Sequence, residues 1–377
     1  MSNFVEVFKD GKLGKNLGLT TGIPPLDVAI NGIQKKSSTG IAAAQKTGKT
    51  TLADYGWVLS PYLQMEKQGR LDDINWIYWS LEIDRVDKEY KYAAFFMYHD
   101  FGIDGYSYKD IPYIPMDKEY LMGKKIYKNK DATTEMIPIT PEHEEMLKVI
   151  YIKRIIPLFG EYDQYGRIVR KGKIDFIEQN DNPTGIYKYL LNYARQHGTF
   201  LEEAYNTLDD KGKQVVRQRV YGYTEKNPNL YTIVITDHVR KPRAERGFSM
   251  KQNIDKLLEY HTEIRNLCRF TFVDICHMNR AIANVDRLKF FGEEIYPTAD
   301  DVKDSGNLAE ECTQLITMFN PNDEKYNLTK HMGIDLTNPT NSNYRSIHLV
   351  DSRNTEAPIH IQTKMIGGIN TFLPLNF

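Results

Sequence analysis

The run Thr39-Gly-Ile-Ala-Ala-Ala-Gln-Lys-Thr-Gly-Lys-Thr-Thr51 limits what this chain can fold into more than any other stretch. Its first half is apolar, its centre reads A-x-x-x-x-G-K-T from Ala43 to Thr50, and a helical pattern over residues 50–65 follows at once. A strand that passes through a compact loop into a helix points successive backbone N–H groups at one place, the positive end of the helix, where phosphate oxygens are held. The loop residues Ala44, Gln45, Lys46, Thr47, Gly48, Lys49, Thr50 and Thr51 are therefore expected to cradle ATP. Gly48 lets the backbone come close, Lys49 reaches the β- and γ-phosphates, and the Thr50 hydroxyl is placed to ligate Mg2+. Ala43 stands where the pattern usually has its first glycine, a position that mainly needs a small side chain. A chance Gly-Lys-Thr in a loop is the competing reading, and the strand before it and the helix after it argue against that.

A nucleotide hydrolase needs a second carboxylate near Mg2+, and Tyr231-Thr-Ile-Val-Ile-Thr-Asp-His238 supplies one, with a run of buried-strand character ending in Asp237. It also needs a group that orients or deprotonates the attacking water. Trp76-Ile-Tyr-Trp-Ser-Leu-Glu82 is an apolar strand with a carboxylate at its end, so Glu82 is the candidate base; a surface Glu at a strand exit is the alternative. Phe270-Thr-Phe-Val-Asp-Ile-Cys-His277 ends in an imidazole able to hydrogen-bond a γ-phosphate, although a histidine in that place is often structural.

Strand-like runs at residues 40–44, 76–81, 231–236, 270–276, 314–319, 345–350 and 359–364 alternate, early on, with helical patterns at 50–65 and 249–268. That order predicts an α/β fold with a mostly parallel central sheet flanked by helices. Residues 106–170 break the rhythm with Ile-Pro-Tyr-Ile-Pro, a Lys-rich run and the turn-like Asp-Gln-Tyr-Gly-Arg, and read as an insertion or a surface elaboration. The expected layout is an arm at 1–16 and one ATPase domain at 17–377. Lys+Arg 49 against Asp+Glu 50 leaves a net charge of −1, so any nucleic-acid surface has to be a local cluster. Arg240-Lys-Pro-Arg-Ala-Glu-Arg246, just past Asp237, is such a cluster; Arg240, Lys241 and Arg243 could touch DNA phosphates or a neighbouring subunit, or simply be solvated. The 25 tyrosines could be stacking platforms for bases, but half-buried packing is the plainer explanation. Three cysteines without paired spacing fit neither a zinc site nor a disulfide framework, and no run of bilayer length or signal-like start occurs. A cytoplasmic setting, bacterial or in a phage-infected cell, is expected.

In this order the segments resemble the C-terminal, RecA-like motor domain of DnaB-type replicative helicases, over nearly the whole chain apart from the insertion. Leu17-Gly-Leu-Thr-Thr-Gly-Ile-Pro-Pro-Leu-Asp27 resembles the stretch before the P-loop in RecA, DnaB and their relatives. Trp79-Ser-Leu-Glu-Ile83 is similar to the family's Ser-Leu-Glu-Met, whose Glu is the catalytic base. Cys276-His-Met-Asn-Arg280 is similar to Ser-Gln-Leu-Asn-Arg, with His277 in place of the glutamine sensor. Asp301-Val-Lys-Asp-Ser-Gly-Asn-Leu-Ala-Glu-Glu311 resembles the loop that lines the family's central channel and grips single-stranded DNA, which implies contacts from Lys303, Asp304 and Gly306. Val350-Asp-Ser-Arg-Asn354 resembles the Lys-x-Arg-Asn segment that supplies an arginine finger to a neighbour's ATP; Arg353 matches the finger and Asp351 replaces the lysine.

The resemblance implies an ATP-hydrolysing ring, a hexamer, moving on single-stranded DNA during replication, with a primase or helicase loader as further partners. Only some 16 residues precede the Leu17 segment. Ring assembly is thus left to the motor domains, the arm, the insertion or another protein, as would suit a compact phage replisome. Two other readings share the nucleotide site: a RecA- or RadA-like recombination ATPase that forms filaments, and a non-motor ATP-binding regulator.

Overall fold

The computed structural model describes residues 3–12, 16–109, 111–128, 134–208, 212–279, 282, 284–302 and 306–375. Among these, nine strands make one sheet: β1 (Ser38–Ala43), β2 (Ile74–Ser80), β3 (Ile174–Ile177), β4 (Tyr231–Asp237), β5 (Thr271–His277), β6 (Gln314–Phe319), β7 (Tyr344–Ser352), β8 (Ile359–Ile366) and β9 (Thr371–Pro374). Their spatial order is β9-β8-β7-β6-β1-β5-β4-β2-β3. The six strands from β6 to β3 run parallel, and β7, β8 and β9 extend the sheet antiparallel. The parallel strands are nearly continuous apolar runs because helices cover both faces. Alternation divides their side chains cleanly: Ile41, Trp76, Tyr78, Ile235 and Ile275 bury on one side, and Ala42, Ile77, Trp79, Val234 and Cys276 on the other. This is the expected mostly parallel α/β sheet, to which β3 adds a short edge strand beside β2.

The helix after the P-loop departs from the smooth 50–65 expectation for a definable reason. Pro61 has no N–H to offer the carbonyl of Trp57 four residues back, and its ring crowds that carbonyl. The chain answers with a π turn at Tyr55–Leu59 between helical segments Lys49–Asp54 and Ser60–Lys67. The indole N–H of Trp76, on β2, donates instead to the Trp57 carbonyl at 2.7 Å. A second π turn, Tyr151–Ile155, likewise precedes a proline, Pro157. The helix expected at 249–268 is Met250–Cys268, capped by a reciprocal Ser249/Gln252 box.

Residues 106–170 contribute no described strand to the main sheet. They form short hairpins and the helices Lys118–Leu121 and Pro141–Ile150. The turn expected at Asp163–Arg167 closes one hairpin, with Asp163 N–H donating to the Arg167 carbonyl at 3.0 Å. Tyr120, Leu158 and Phe159 bury in the same cluster as Trp57 and Trp76, so this segment shares the main core. An antiparallel hairpin with arms Gly198–Leu208 and Gln214–Glu225, which the sequence reading did not pick out, projects with most of its residues exposed. Tyr62, Tyr78, Tyr92, Tyr120 and Tyr344 are fully buried, so much of the tyrosine content serves packing. The described cysteines are all buried and unpaired. No described helix is long and apolar enough to cross a membrane.

Candidate nucleotide site

Register brings the strand ends together. Ala43, the last residue of β1, lies beside His277 of β5 and Met318 of β6, Asp237 of β4 lies beside Ile275, and Ser80 of β2 lies beside Asp237. The carboxyl edge of the parallel sheet thus carries the P-loop, Asp237, His277 and, two residues past Ser80, Glu82. Open α/β sheets bind ligands at this edge, where successive connections leave on opposite faces. Ala43 is fully buried in extended backbone, so alanine satisfies the place of the usual first glycine. Gly48 cannot be replaced in the same way. Its φ is +110°, and a Cβ there would run into Met365 Sδ.

The side chains at this edge interact. Thr50 Oγ1 donates to Asp237 Oδ2 at 2.9 Å, and the other carboxylate oxygen, Oδ1, is buried without a hydrogen-bond partner. Burial raises the Asp237 pKa, against the opposing charge of Lys88. Lys49 is buried to 7% exposure; loss of water pulls its ammonium below the usual lysine range, and the charges of Asp237 and Glu82 oppose that pull. A half-dehydrated ammonium beside an unspent carboxylate oxygen is the donor set that a triphosphate and a hard divalent cation require. Thr50 and Asp237 are the residues that would hold Mg2+, and they fit it: one hydroxyl and one carboxylate, already adjacent. Leu81 N–H donates to the Asp237 carbonyl at 2.9 Å, which fastens the Glu82 turn to β4, and Glu82 Oε1 lies 3.5 Å from Lys241 Nζ.

His277 stands over this edge next to a second imidazole that sequence reasoning missed. The His238 ring is 4.3 Å from it, centroid to centroid. Burial pushes His238 down to about 2, with His277 and Lys49 acting in the same sense, and burial and then Lys49 lower His277 as well. Both rings are therefore neutral at pH 7, when each can donate or accept a hydrogen bond. His277 Nδ1 and His238 Nε2 are buried without hydrogen-bond partners.

Three further groups support the loop from behind, and none was legible in the sequence. Arg345 of β7, 9% exposed, donates from Nε to the Thr47 carbonyl at 3.3 Å and from an Nη to the Tyr344 carbonyl at 2.7 Å, with no described carboxylate in ion-pair range. Lys91 Nζ donates to Thr51 Oγ1 at 3.2 Å. Fully buried Asp54, on the P-loop helix, accepts from Lys88 Nζ at 3.0 Å, Tyr78 Oη at 2.9 Å and Tyr92 Oη at 3.1 Å.

The other candidate residues lie elsewhere. Arg353 follows β7, whose far end pairs with the start of β6, so it sits at the opposite edge of the sheet from its own P-loop. It is exposed, with its backbone N–H on the Thr313 carbonyl at 2.9 Å and its guanidinium on the Glu310 carbonyl. Lys303 and Asp304 lie outside the described residues, as does Arg280. Gly306 begins the short helix Gly306–Glu311. Asp301, before the loop, is buried and paired with Arg287 at 2.6 Å. Lys241 and Arg243 are exposed and Arg240 is half-buried, in the segment directly after Asp237.

No family model and no curated protein matches the chain. Solved structures do match over its whole length. The ATPase domain of G40P superposes with a TM-score of 0.62 at 14% identity, covering 99% of this chain and 97% of that one. A DnaB-like replicative helicase, whose structure was described with its interactions with primase, gives a TM-score of 0.62 at 14% identity, covering 100% of this chain and 68% of that one. The fold is therefore the RecA-like fold of DnaB-type helicase ATPase domains.

Proposed function

We propose that this chain is the ATP-hydrolysing motor of a ring helicase that moves along single-stranded DNA and separates strands during replication. The observation that carries the reading is the Thr50–Asp237 contact at a sheet edge shared with Lys49 and Glu82, within a fold similar over its whole length to helicase ATPase domains. In this reading the backbone of residues 44–51 binds the triphosphate, and Lys49 neutralises its terminal charge. Thr50 and Asp237 would hold Mg2+, which would supply neutralisation of phosphate charge. Glu82 takes the proton of the attacking water, and neutral His277 senses the terminal phosphate through a hydrogen bond. Arg353, facing away from its own site, serves the site of an adjacent copy, so activity requires a closed ring, expected to be a hexamer. Lys303, Asp304 and Gly306, with Arg240, Lys241 and Arg243, hold the strand by its phosphates without reading bases. A primase or a helicase loader is the expected further partner, and the cytoplasm the expected setting.

The test pairs turnover with assembly. ATP hydrolysis is expected to rise several-fold with single-stranded DNA and to vanish in Lys49→Ala, and electron microscopy with ATP and DNA is expected to show closed rings. Open helical filaments on DNA would favour a recombination ATPase. ATP binding without turnover would favour a regulator.

A further inference from the structure

The ion pair between Lys241 and Glu82 connects two parts of the molecule that the functional reading keeps separate, the candidate base and the candidate DNA surface. Glu82 Oε1 and Lys241 Nζ are 3.5 Å apart, and their side chains are 29% and 51% exposed. Neither partner is loosely placed at its backbone. The Lys241 N–H donates to the His238 carbonyl at 2.9 Å, and the Arg240 N–H donates to His238 Nδ1 at 3.2 Å, so this turn is fixed immediately beyond Asp237. On the other side, Leu81 N–H is bonded to the Asp237 carbonyl.

A carboxylate acts as a general base only when an oxygen is free to accept the proton of a water, and an ammonium seated on it occupies that oxygen. An exposed pair of this kind is weak, because water screens it and the lysine loses freedom by staying in place. It yields to a competing anion of higher charge. The surroundings of Lys241 favour such a competitor. Arg240, Arg243 and Arg246 lie in the same short segment, and its one acid, Glu245, is already engaged by Thr184 and by Lys256 Nζ at 2.6 Å. The segment therefore presents net positive charge to a phosphodiester chain.

We propose that Lys241 is a positioning residue that holds Glu82 in an unproductive pairing until the phosphates of a nucleic-acid strand draw the ammonium away, so that strand binding itself frees the base. This rests on the ATPase reading above. It assigns DNA stimulation to a contact within one chain, in addition to whatever adjacent copies contribute.

The experiment measures ATP turnover of wild type, Lys241→Met and Lys241→Arg across a titration of a single-stranded oligodeoxythymidine, with thermal unfolding to confirm that each variant is folded. Lys241→Met is expected to raise the DNA-free rate several-fold, towards the stimulated wild-type rate, and to shrink the remaining stimulation. Lys241→Arg, which keeps a cation, should fall between wild type and Lys241→Met in both the DNA-free rate and the stimulation. A residue that merely grips the strand behaves differently: the DNA-free rate stays low and only the oligonucleotide concentration for half-maximal stimulation rises. That result, or a fall in the DNA-free rate, overturns the proposal while leaving the ATPase reading intact. A wild-type protein whose turnover ignores the oligonucleotide overturns the DNA-motor reading, and this proposal falls with it.

Discussion

Arg353→Ala is expected to lower ATP turnover by ~10³–10⁵, the range for loss of a guanidinium that neutralises charge developing on a transferred phosphoryl group. The mutant's own P-loop is untouched, so its affinity for nucleotide should change far less. Geometry explains the split. Ser352 is level with Gln314 and hence with Thr39, whereas the P-loop leaves β1 after Ala43, so Arg353 is displaced from its own loop by roughly five residues, on the order of 17 Å at ~3.3 Å per residue. A side chain does not bridge that distance, so the proposed finger role requires Arg353 to act on the nucleotide of another copy. It follows that mixing Arg353→Ala with Lys49→Ala chains should restore activity that neither has alone. Some interfaces then join an intact P-loop to an intact arginine, about a quarter of them in a random ring. Rates measured across mixing ratios check this; mixtures that never exceed the sum of the two inactive proteins would remove Arg353 from the site.

Asp54→Ala is expected to destabilise the fold by ~3–5 kcal/mol, because it strands the Lys88 ammonium in a dry interior. Lys88 and Asp54 are both 0% exposed, and Lys88 Nζ makes its other hydrogen bond to the Tyr78 hydroxyl at 2.9 Å. The reverse deletion, Lys88→Met, should cost less, about 1–3 kcal/mol. Asp54 would keep the Tyr78 and Tyr92 hydroxyls and would still have Lys91 Nζ at 3.6 Å. Denaturant unfolding of the two variants reads this asymmetry, and equal losses would contradict it. The cluster ties the P-loop helix to the Arg85–Phe101 helix that follows Glu82. Its rigidity therefore bears on the site as well as on stability.

What the sequence disclosed and what it hid divide along physical lines. The P-loop, Asp237, Glu82 and His277 were legible because each is encoded locally, as a run of strand residues ending in one polar group, and parallel strands necessarily bring such ends to one edge. Arg345 was not legible. It lies 298 residues from the Thr47 carbonyl it supports, and nothing in Tyr344-Arg345-Ser346 distinguishes it from a surface arginine. His238 could have been found, since it directly follows Asp237, but its importance lies in its contact with His277 from another strand. The projecting hairpin carried a signal in Asp-Asp-Lys-Gly at residues 209–212, yet its arms are mostly polar on both faces, so they lack the alternation that marks a half-buried strand. The π turn after the P-loop could have been anticipated from Pro61; that Trp76 would take up the released carbonyl could not.

The proposed motor requires ATP and Mg2+ to be held where Lys49, Thr50, Asp237 and Glu82 come together. A structure of the wild-type protein with Mg2+ and a non-hydrolysable ATP analogue tests it directly. The triphosphate is expected along the backbone of residues 44–51, the metal at Thr50 and Asp237, and Glu82 towards the terminal phosphate. Nucleotide density at any other place, or a metal bound without Asp237, would contradict it.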